Sequence, residues 1–200
     1  MIQTIIFDIG NVLVHFRWKA YFESLGYDSH TVSRLANASV LSVHWKELDL
    51  GNLCYDDILS LFIKNDPGIE MELRASLRDL SQILGKTDYA VPWLKELKQR
   101  GYQLLFLSNF SEKVFHECPH AMDFLPLMDG GIFSYKVNLV KPNPAIYEML
   151  LKDYHLKPSE CVFIDDTQEN IDAAKKLGIH GITFVSLQQA KKELESLGIT

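Results

Sequence analysis

Two kinds of segment alternate along the chain, and this alternation limits the folds that the chain can adopt. Short apolar runs that end in polar or glycine residues alternate with segments in which apolar residues recur at helical spacing. The runs are TIIFD, YQLLFLSN, GGIFS, CVFIDD and HGITFVS. Such alternation favours parallel strands joined by crossover helices. The pattern therefore predicts an α/β fold with a doubly wound parallel sheet.

One stretch breaks the alternation. Residues 16–85 contain no convincing strand but several amphipathic helices, with two shared apolar faces. The first face comprises Trp18, Tyr21, Phe22 and Leu25, and the second comprises Ile69, Leu73, Leu77, Leu80 and Leu84. We expect a helical cap at 16–85, inserted after the first strand into a Rossmann-like core made of residues 1–15 and 86–200.

Three predicted helices of the core carry recognisable end signals. Pro92 lies near the start of one helix, and Gly101 follows its end. Asn143 is placed to cap a second helix that starts at Pro144, and Gly178 follows the end of a third. Proline suits the first turn of a helix, and glycine suits the residue just beyond its end.

Composition and charge narrow the class of partner. The chain has 200 residues, of which 47% are hydrophobic and 23% charged, which suits one globular core with a modest insertion. Its formal net charge is -6, whereas binding to nucleic acid or to an anionic membrane favours an excess of positive charge. We therefore expect a small solute as ligand, with no nucleic-acid partner and no membrane partner.

Cysteine usage and the N-terminal residues suggest a compartment. The cysteines Cys54, Cys118 and Cys161 are widely spaced without a C-x-x-C pair, which argues against a disulfide framework or a zinc site. Met1 leads almost directly into an apolar run, with no signal-peptide pattern. We expect a cytoplasmic protein, and the sequence leaves open whether it is a monomer or a homodimer.

Polar side chains lie at or just beyond the ends of four predicted strands. They are Asp8, Ser108 with Asn109, Lys141, and Asp165 with Asp166. The carboxyl ends of parallel strands meet at one edge of a sheet, where ligands bind. Carboxylates brought together there repel unless a hard cation such as Mg²⁺ lies among them. The set predicts a magnesium site, beside which a lysine and a hydroxyl group suit a phosphoryl group.

Four stretches that carry these residues resemble, in order, the motifs of the haloacid dehalogenase-like (HAD) hydrolases. They are FDIGNVLV, LLFLSN, VKPNPAIYEMLL and FIDDTQENIDAAKKLG. The resemblance spans nearly the whole chain, and the D-x-G-N-V form is similar to the branch that includes glucose-1-phosphate phosphatase and the phosphatase-like domain of epoxide hydrolase. It implies a Mg²⁺-dependent phosphatase of a small phosphorylated metabolite, such as a sugar phosphate.

The resemblance also implies a role for each residue. Asp8 is expected to be the nucleophile that forms an aspartyl-phosphate, and Lys141 is expected to orient it and neutralise charge. Ser108 and the backbone amide of Asn109 would hold the phosphoryl oxygens. The implied magnesium ligands are Asp8, Gly10 through its carbonyl oxygen, Asp166 directly, and Asp165 directly or through water.

Gly10 departs from the commonest first motif, in which a second aspartate protonates the leaving group and then activates water. Glycine has no side chain for either step. One interpretation is a phosphatase that uses another acid, such as His15 or a carboxylate of the cap, or that acts on substrates whose leaving group needs little protonation. A second is a metal-independent 2-haloacid dehalogenase in which Asp8 displaces halide, with Arg34 as a candidate halide ligand. The third is a non-catalytic binding or regulatory module.

The Asp165–Asp166 pair weighs against the dehalogenase, and retention of the other residues favours the phosphatase. Further candidates lie in the predicted cap. Its acids Asp49, Asp56 and Asp57 are interpreted first as helix caps and second as substrate contacts. Its aromatic residues Trp18, Tyr21, Phe22 and Trp45 are interpreted first as the interior of the cap and second as the lining of a substrate pocket.

Overall fold

The computed structural model describes residues 1–199. Its strands, in chain order, are β1 (Thr4–Phe7), β2 (Val14–Phe16), β3 (Leu84–Lys86), β4 (Gln103–Ser108), β5 (Gly130–Phe133), β6 (Cys161–Asp165) and β7 (His180–Thr183). Its α-helices are α1 (Trp18–Ser24), α2 (Ser29–Ala38), α3 (Trp45–Leu50), α4 (Tyr55–Asn65), α5 (Glu70–Arg78), α6 (Ala90–Gln99), α7 (Glu112–Glu117), α8 (Ser134–Val137), α9 (Pro144–Asp153), α10 (Gln168–Lys176) and α11 (Leu187–Ser196).

Five strands form a parallel sheet in the order β5-β4-β1-β6-β7. The central strand β1 pairs with β4 in register Ile5↔Leu104 and with β6 in register Ile5↔Val162. The outer pairs β4–β5 and β6–β7 are also parallel. These are the five strands that the apolar runs predict, so the predicted α/β parallel sheet is confirmed.

Helices cover both faces of this sheet because successive side chains of a strand point to opposite sides. Ile5 and Phe7 of β1 belong to the same buried cluster as Trp93 of α6, on one face. Ile6 lies on the other face, in a cluster with Ile146 of α9 and with residues of α10. The core is therefore doubly wound and Rossmann-like.

The predicted helix-end signals act where they were expected. The side chain of Asn143 accepts a hydrogen bond from the backbone amide of Ala145, and Pro144 occupies the first position of α9. Beyond the ends of α6 and α10, Gly101 and Gly178 adopt left-handed backbone with φ of 89° and 83°.

Helices α1 to α5 all lie between β2 and β3, which pair with each other antiparallel. Each strand of this two-stranded ribbon crosses one boundary of the predicted cap, and Phe16 pairs with Leu84. The expectation that residues 16–85 contain no strand is therefore wrong at its two ends. Each strand has only three residues, which is too short to display a period-2 pattern.

The two apolar faces predicted for the cap are partly wrong. Helix α5 ends at Arg78, so Leu80 lies beyond it and Leu84 belongs to β3, although both side chains are buried. Leu25 follows α1 and is 44% exposed, whereas Tyr21 and Phe22 are buried as expected. Apolar spacing alone did not mark where these helices stop.

The hydrophobic interior continues from the sheet into the predicted cap. Phe7 of β1 belongs to the same cluster of buried residues as Phe22, Phe62 and Leu73 of the cap helices. The division into a core and a cap domain stays a prediction. Within residues 1–199, no helix combines the length and the apolar character needed to cross a membrane.

Candidate active site

Four sequence-predicted residues converge at the carboxyl edge of the sheet. Asp8 directly follows β1, Ser108 ends β4 and Asp165 ends β6. Lys141 comes from the loop between α8 and α9. Beside them lies a cavity of about 220 Å³. It is lined by Asp8, Gly10, Asn11, Phe16, Trp45, Asp49, Leu84, Asn109, Phe110, Ser111, Val114, Asp166 and Thr167.

Lys141 is a buried cation shared by two carboxylates. Its Nζ lies 2.8 Å from Oδ1 of Asp8 and 2.6 Å from Oδ2 of Asp165, and its side chain is 1% exposed. Burial alone would lower the pKa of Lys141, but the charges of Asp8 and Asp165 outweigh burial and raise the pKa above its usual value. Lys141 is therefore an ammonium ion that neutralises part of the acidic cluster.

Only one of the two carboxylate oxygens of Asp8 has partners among the described residues. Its Oδ1 accepts a hydrogen bond from Oγ of Ser108 at 2.7 Å, besides the contact with Lys141. Burial raises the pKa of Asp8 to about 6, and the charge of Asp165 adds to this, while Lys141 and the Ser108 hydroxyl group lower it. Among the hydrogen bonds and ion pairs of the described residues, Oδ2 of Asp8 has no partner, which leaves that oxygen available to a ligand.

Asp165 and its neighbour Asp166 differ in their surroundings. Both oxygens of Asp165 accept hydrogen bonds from Asn170, and they also accept bonds from the Thr167 amide and Lys141. Asp165 is fully buried and does not line the cavity. Asp166 lines the cavity and is partly exposed, and its Oδ2 accepts a hydrogen bond from Nδ2 of Asn11 at 3.0 Å.

Asn109 fixes the backbone that carries the lysine. Its Nδ2 donates to the carbonyl oxygen of Lys141 at 3.0 Å, and its Oδ1 accepts from the backbone amide of Lys141 at 2.8 Å. This reciprocal pair ties the end of β4 to the loop before α9. Ser108 is fully buried and donates its hydrogen bond to Asp8, and it is not one of the residues that line the cavity.

The carboxylates fit a hard cation. Asp8, Asp165 and Asp166 each offer an oxygen atom, and these atoms lie within 4.8 Å of one another. Two of the three line the cavity, as does Gly10. Mg²⁺ prefers oxygen ligands, commonly one or two carboxylates with water and phosphate oxygens. With Asp165 already hydrogen-bonded through both oxygens, Asp8 and Asp166 are the carboxylates open to a metal ion.

Asn11 is a site residue to which the sequence analysis assigned no side-chain contact. It adopts left-handed backbone with φ of 53°, whereas Gly10, beside it, has no positive φ. Its side chain binds Asp166 and also accepts from the amide of Phe16 at 3.2 Å. Asparagine tolerates left-handed backbone better than most residues. The Gly-Asn pair within an apolar run was the available signal for this turn.

The predicted cap contributes four residues to the cavity lining, one of which is Leu84 of β3. Trp45 and Asp49 come from α3, and Phe16 comes from β2, with the two aromatic rings 5.9 Å apart. Asp49 lies within α3 and does not cap it, so its interpretation as a helix cap is wrong. Burial, together with the charge of Asp8, raises the pKa of Asp49 to about 7, and Lys141 opposes this shift.

Other sequence candidates lie outside the cavity lining. His15 of β2 is exposed. Asp56 and Asp57 lie in the exposed first turn of α4, where Cys54 is the N-cap residue, so their interpretation as helix caps is also wrong. Arg34 forms a two-pronged ion pair with Asp66, with both nitrogen–oxygen distances at 2.7 Å. The aromatic residues Trp18, Tyr21 and Phe22 pack among themselves and with the interior of the protein.

Comparison with known proteins decides the family. The model of the haloacid dehalogenase-like hydrolases matches residues 2–178 of the chain. The chain belongs to this family. It is a HAD-like hydrolase, and the resemblance of its four sequence motifs is confirmed.

Two relatives of this HAD-like hydrolase carry the word phosphatase in their names. The chain is 26% identical over 196 residues to the sesquiterpene phosphatase astK of Aspergillus oryzae, covering 96% of this chain and 94% of that protein. It is 32% identical over 192 residues to the D-ribitol-5-phosphate phosphatase of Bacteroides thetaiotaomicron, covering 89% of each.

A solved structure shares the fold of the HAD-like hydrolase. It is the HAD family enzyme bt-2542 of Bacteroides thetaiotaomicron in complex with magnesium and inorganic phosphate. The TM-score is 0.72 at 20% identity, and the match covers 94% of this chain and 96% of that one. The two chains thus share their fold over nearly their whole length, which confirms the α/β fold with its Rossmann-like core.

Proposed function

We propose that this HAD-like hydrolase is a Mg²⁺-dependent phosphatase that acts on a small phosphorylated metabolite through an aspartyl-phosphate on Asp8. The observation that carries the proposal is the setting of Asp8. Lys141 and Ser108 both bind its Oδ1, while Oδ2 is unpartnered among the described residues and Asp8 itself lines the cavity. A carboxylate fixed in this way is oriented for attack on phosphorus.

The remaining residues of the site act on charge and orientation. Lys141 lowers the repulsion between the carboxylate of Asp8 and an incoming phosphate dianion, and Asp165 with Asn170 holds Lys141 in place. We assign binding of the phosphoryl oxygens to the end of β4, where Asn109 lines the cavity and Ser108 contributes through its hydrogen bond to Asp8. Buried donors near developing negative charge stabilise it more than the same donors do in water.

The magnesium ion belongs to the same proposal. Asp8, Asp166 and the carbonyl oxygen of Gly10 would hold it, with Asp165 beside them. When bound, the ion supplies positive charge that offsets the repulsion between the carboxylates and the phosphate oxygens. The acidic cluster supports this assignment, and the fold neighbour bt-2542 is known with magnesium and inorganic phosphate.

The cavity supports a small substrate. Its acidic part contains Asp8 and Asp166, and its apolar part contains Phe16, Trp45 and Phe110. The first part suits a metal-bound phosphoryl group, and the second suits the apolar face of a sugar or a short hydrocarbon chain. The relatives named above are a sesquiterpene phosphatase and a D-ribitol-5-phosphate phosphatase, and the hydrocarbon of a sesquiterpene suits the apolar part of the cavity.

The dehalogenase interpretation gains no specific support. Its candidate halide ligand Arg34 is paired with Asp66 and does not line the cavity. The cavity is instead lined by three carboxylates, Asp8, Asp49 and Asp166. A cluster of that kind repels a halide ion and suits a divalent cation.

The test is phosphate release from 4-nitrophenyl phosphate, an alditol phosphate, a hexose phosphate and a prenyl monophosphate, first with Mg²⁺ and then with EDTA. We expect metal-dependent release by the wild type, loss of release in Asp8→Asn, and an unchanged rate in Asp57→Asn, which alters an exposed acid of α4. Full activity of Asp8→Asn would exclude the proposed nucleophile. Chloride release from 2-chloropropionate in EDTA, without phosphate release, would favour the dehalogenase.

A further inference from the structure

We propose that Asp49 is the general acid and general base of the phosphatase reaction, supplied by α3 in place of the side chain that Gly10 lacks. The inference rests on the proposed function, because it assigns the proton transfers of that reaction. Asp49 lies in α3, within the predicted cap.

The cavity gives Asp49 access to the reacting atoms. Asp49 and Asp8 line the same small cavity, although they lie 41 positions apart in the sequence. Gly10 also lines it, and a Cβ atom built on Gly10 meets nothing within 4 Å. The space beside Gly10 is therefore open, and Asp49 lines the same cavity as Gly10.

Elimination among titratable groups leads to the same residue. Within the described residues, the titratable side chains that line the cavity are Asp8, Asp49 and Asp166. Asp8 is assigned as nucleophile, and Asp166 is assigned to the metal. His15, the other acid considered from the sequence, is exposed and does not line the cavity. Asp49 is the remaining group that can exchange a proton there.

Three contacts fix the end of α3 against the core. Ser134 Oγ donates to the carbonyl oxygen of Asp49 at 2.6 Å, and Asn138 Nδ2 donates to that of Leu50 at 2.8 Å. Gly51 then ends α3 in left-handed backbone, so close to α8 that an added Cβ would lie 2.8 Å from the carbonyl oxygen of Tyr135. A side chain on such a fastened helix end is held in place for catalysis.

The electrostatic setting suits a group that first gives and then takes a proton. Asp49 is partly buried, and burial with the nearby charge of Asp8 raises its pKa to about 7. A general acid works best when its pKa lies near the operating pH, because both protonation states are then populated.

Asp49 would transfer one proton in each of the two chemical steps. An oxygen of Asp8 forms a bond to phosphorus while the bond between phosphorus and the ester oxygen breaks, and the protonated Asp49 gives its proton to that oxygen. The released alcohol is neutral, and Asp49 is left as a carboxylate. A water molecule then attacks the aspartyl-phosphate, Asp49 takes its proton, and the bond between phosphorus and Asp8 breaks to release phosphate.

The experiment compares leaving groups in Asp49→Asn, which keeps the shape of the side chain. The substrates are an alkyl phosphate, whose leaving group needs a proton, and 4-nitrophenyl phosphate, whose leaving group does not. We expect kcat/KM for the alkyl ester to fall about 100-fold or more, as for loss of a general acid, with little change for the aryl ester. Nitrophenol should appear in a burst, and mass spectrometry should detect phosphate on Asp8, because the second step also lacks its base.

Rescue provides the matched control. Gly10→Asp in the Asp49→Asn background places a carboxyl group in the open space beside Asp8, and we expect it to restore part of the alkyl phosphatase activity. Equal losses for both leaving groups without phosphoenzyme, or wild-type rates in Asp49→Asn, would overturn the inference while an active wild type keeps the proposed function. An inactive wild type would overturn the proposed function and the inference with it.

Discussion

Ser134 donates a hydrogen bond from its hydroxyl group to the carbonyl oxygen of Asp49, across 85 positions of the sequence. The same oxygen of Ser134 accepts the backbone amide of Phe110, in the loop after β4. One buried hydroxyl group therefore connects a helix of the predicted cap with two segments of the core. Its bond to Asp49 is one of the contacts that hold the end of α3 against α8.

Ser134→Ala tests whether the position of Asp49 affects the reaction rate. In Ser134→Ala the Phe110 amide loses its buried acceptor, so we expect the free energy of unfolding to fall by about 1–3 kcal/mol. We also expect a slower reaction with the alkyl phosphate, because Asp49 is less well held. Urea unfolding and steady-state kinetics measure the two effects. The control is Ser60→Ala, which removes an exposed hydroxyl group that donates to the carbonyl oxygen of Asp56, and which should leave both values unchanged.

Gly51→Ala should separate backbone strain from a steric clash. Gly51 has φ of 67° and no space for a Cβ, whereas Gly26 has φ of 85° and nothing within 4 Å of an added Cβ. Left-handed backbone costs a residue with a Cβ about 1–2 kcal/mol, and we expect Gly26→Ala to lose only that amount of stability. Gly51→Ala should lose more, because α3 must also move away from Tyr135, and it should lose phosphatase activity. Equal effects of the two substitutions in thermal unfolding and kinetics would contradict a close fit of α3 on α8.

Lys141→Met tests the shared cation. Asp8 and Asp165 would then lie together without the ammonium group, and breaking a buried ion pair by removing one partner typically costs about 3–5 kcal/mol. We expect a loss of that order in urea unfolding without metal, together with loss of phosphate release. Lys157→Met removes a lysine of an exposed pair with Glu160, whose side chains are 75% and 28% exposed. That variant should change stability by less than about 1 kcal/mol.

The pH dependence of stability provides a test of Asp49 that needs no substrate. Its carboxyl pKa is 3.8 when unperturbed and about 7 in the folded protein, so ionisation opposes folding as pH rises through this window. In EDTA, the free energy of unfolding of Asp49→Asn should match that of the wild type near pH 4 and exceed it near pH 8. A control with the opposite sign is Asp28→Asn, since the Thr31 amide lowers the pKa of Asp28 and the stability this adds is lost at low pH. Parallel curves for Asp49→Asn and the wild type would contradict the raised pKa.

Most of the sheet could be predicted because each central strand is a continuous apolar run. The polar residues at the strand ends then converge for topological reasons, which is why the sequence alone was enough to group Asp8, Ser108 and Asp165. The ribbon of β2 and β3 was missed because three-residue strands carry no period. The end of α5 was misjudged because Leu80 and Leu84 are buried without being helical.

The place of Asp49 in the cavity could not be predicted from its neighbours in sequence. The residue lies in a six-residue helix, which is too short for its apolar pattern to predict which face is buried. Its hydrogen bond to the core comes from Ser134 of α8, which is 85 positions away in the sequence. Which cap carboxylate faces the nucleophile is settled by tertiary packing alone. The departure at Gly10 indicated that such a group was needed, and the fold identifies Asp49 as the candidate.

The hydrophobic cluster that runs from Phe7 of the sheet to Phe62 of the cap has a consequence for cooperativity. Neither part has a complete apolar interior of its own, so separating them would expose surface to water on both. We expect one melting transition, seen alike by Trp45 in the cap and Trp93 in the core. The residues of the predicted cap that line the cavity would then unfold together with the sheet that carries Asp8, so the cavity persists for as long as the sheet is folded.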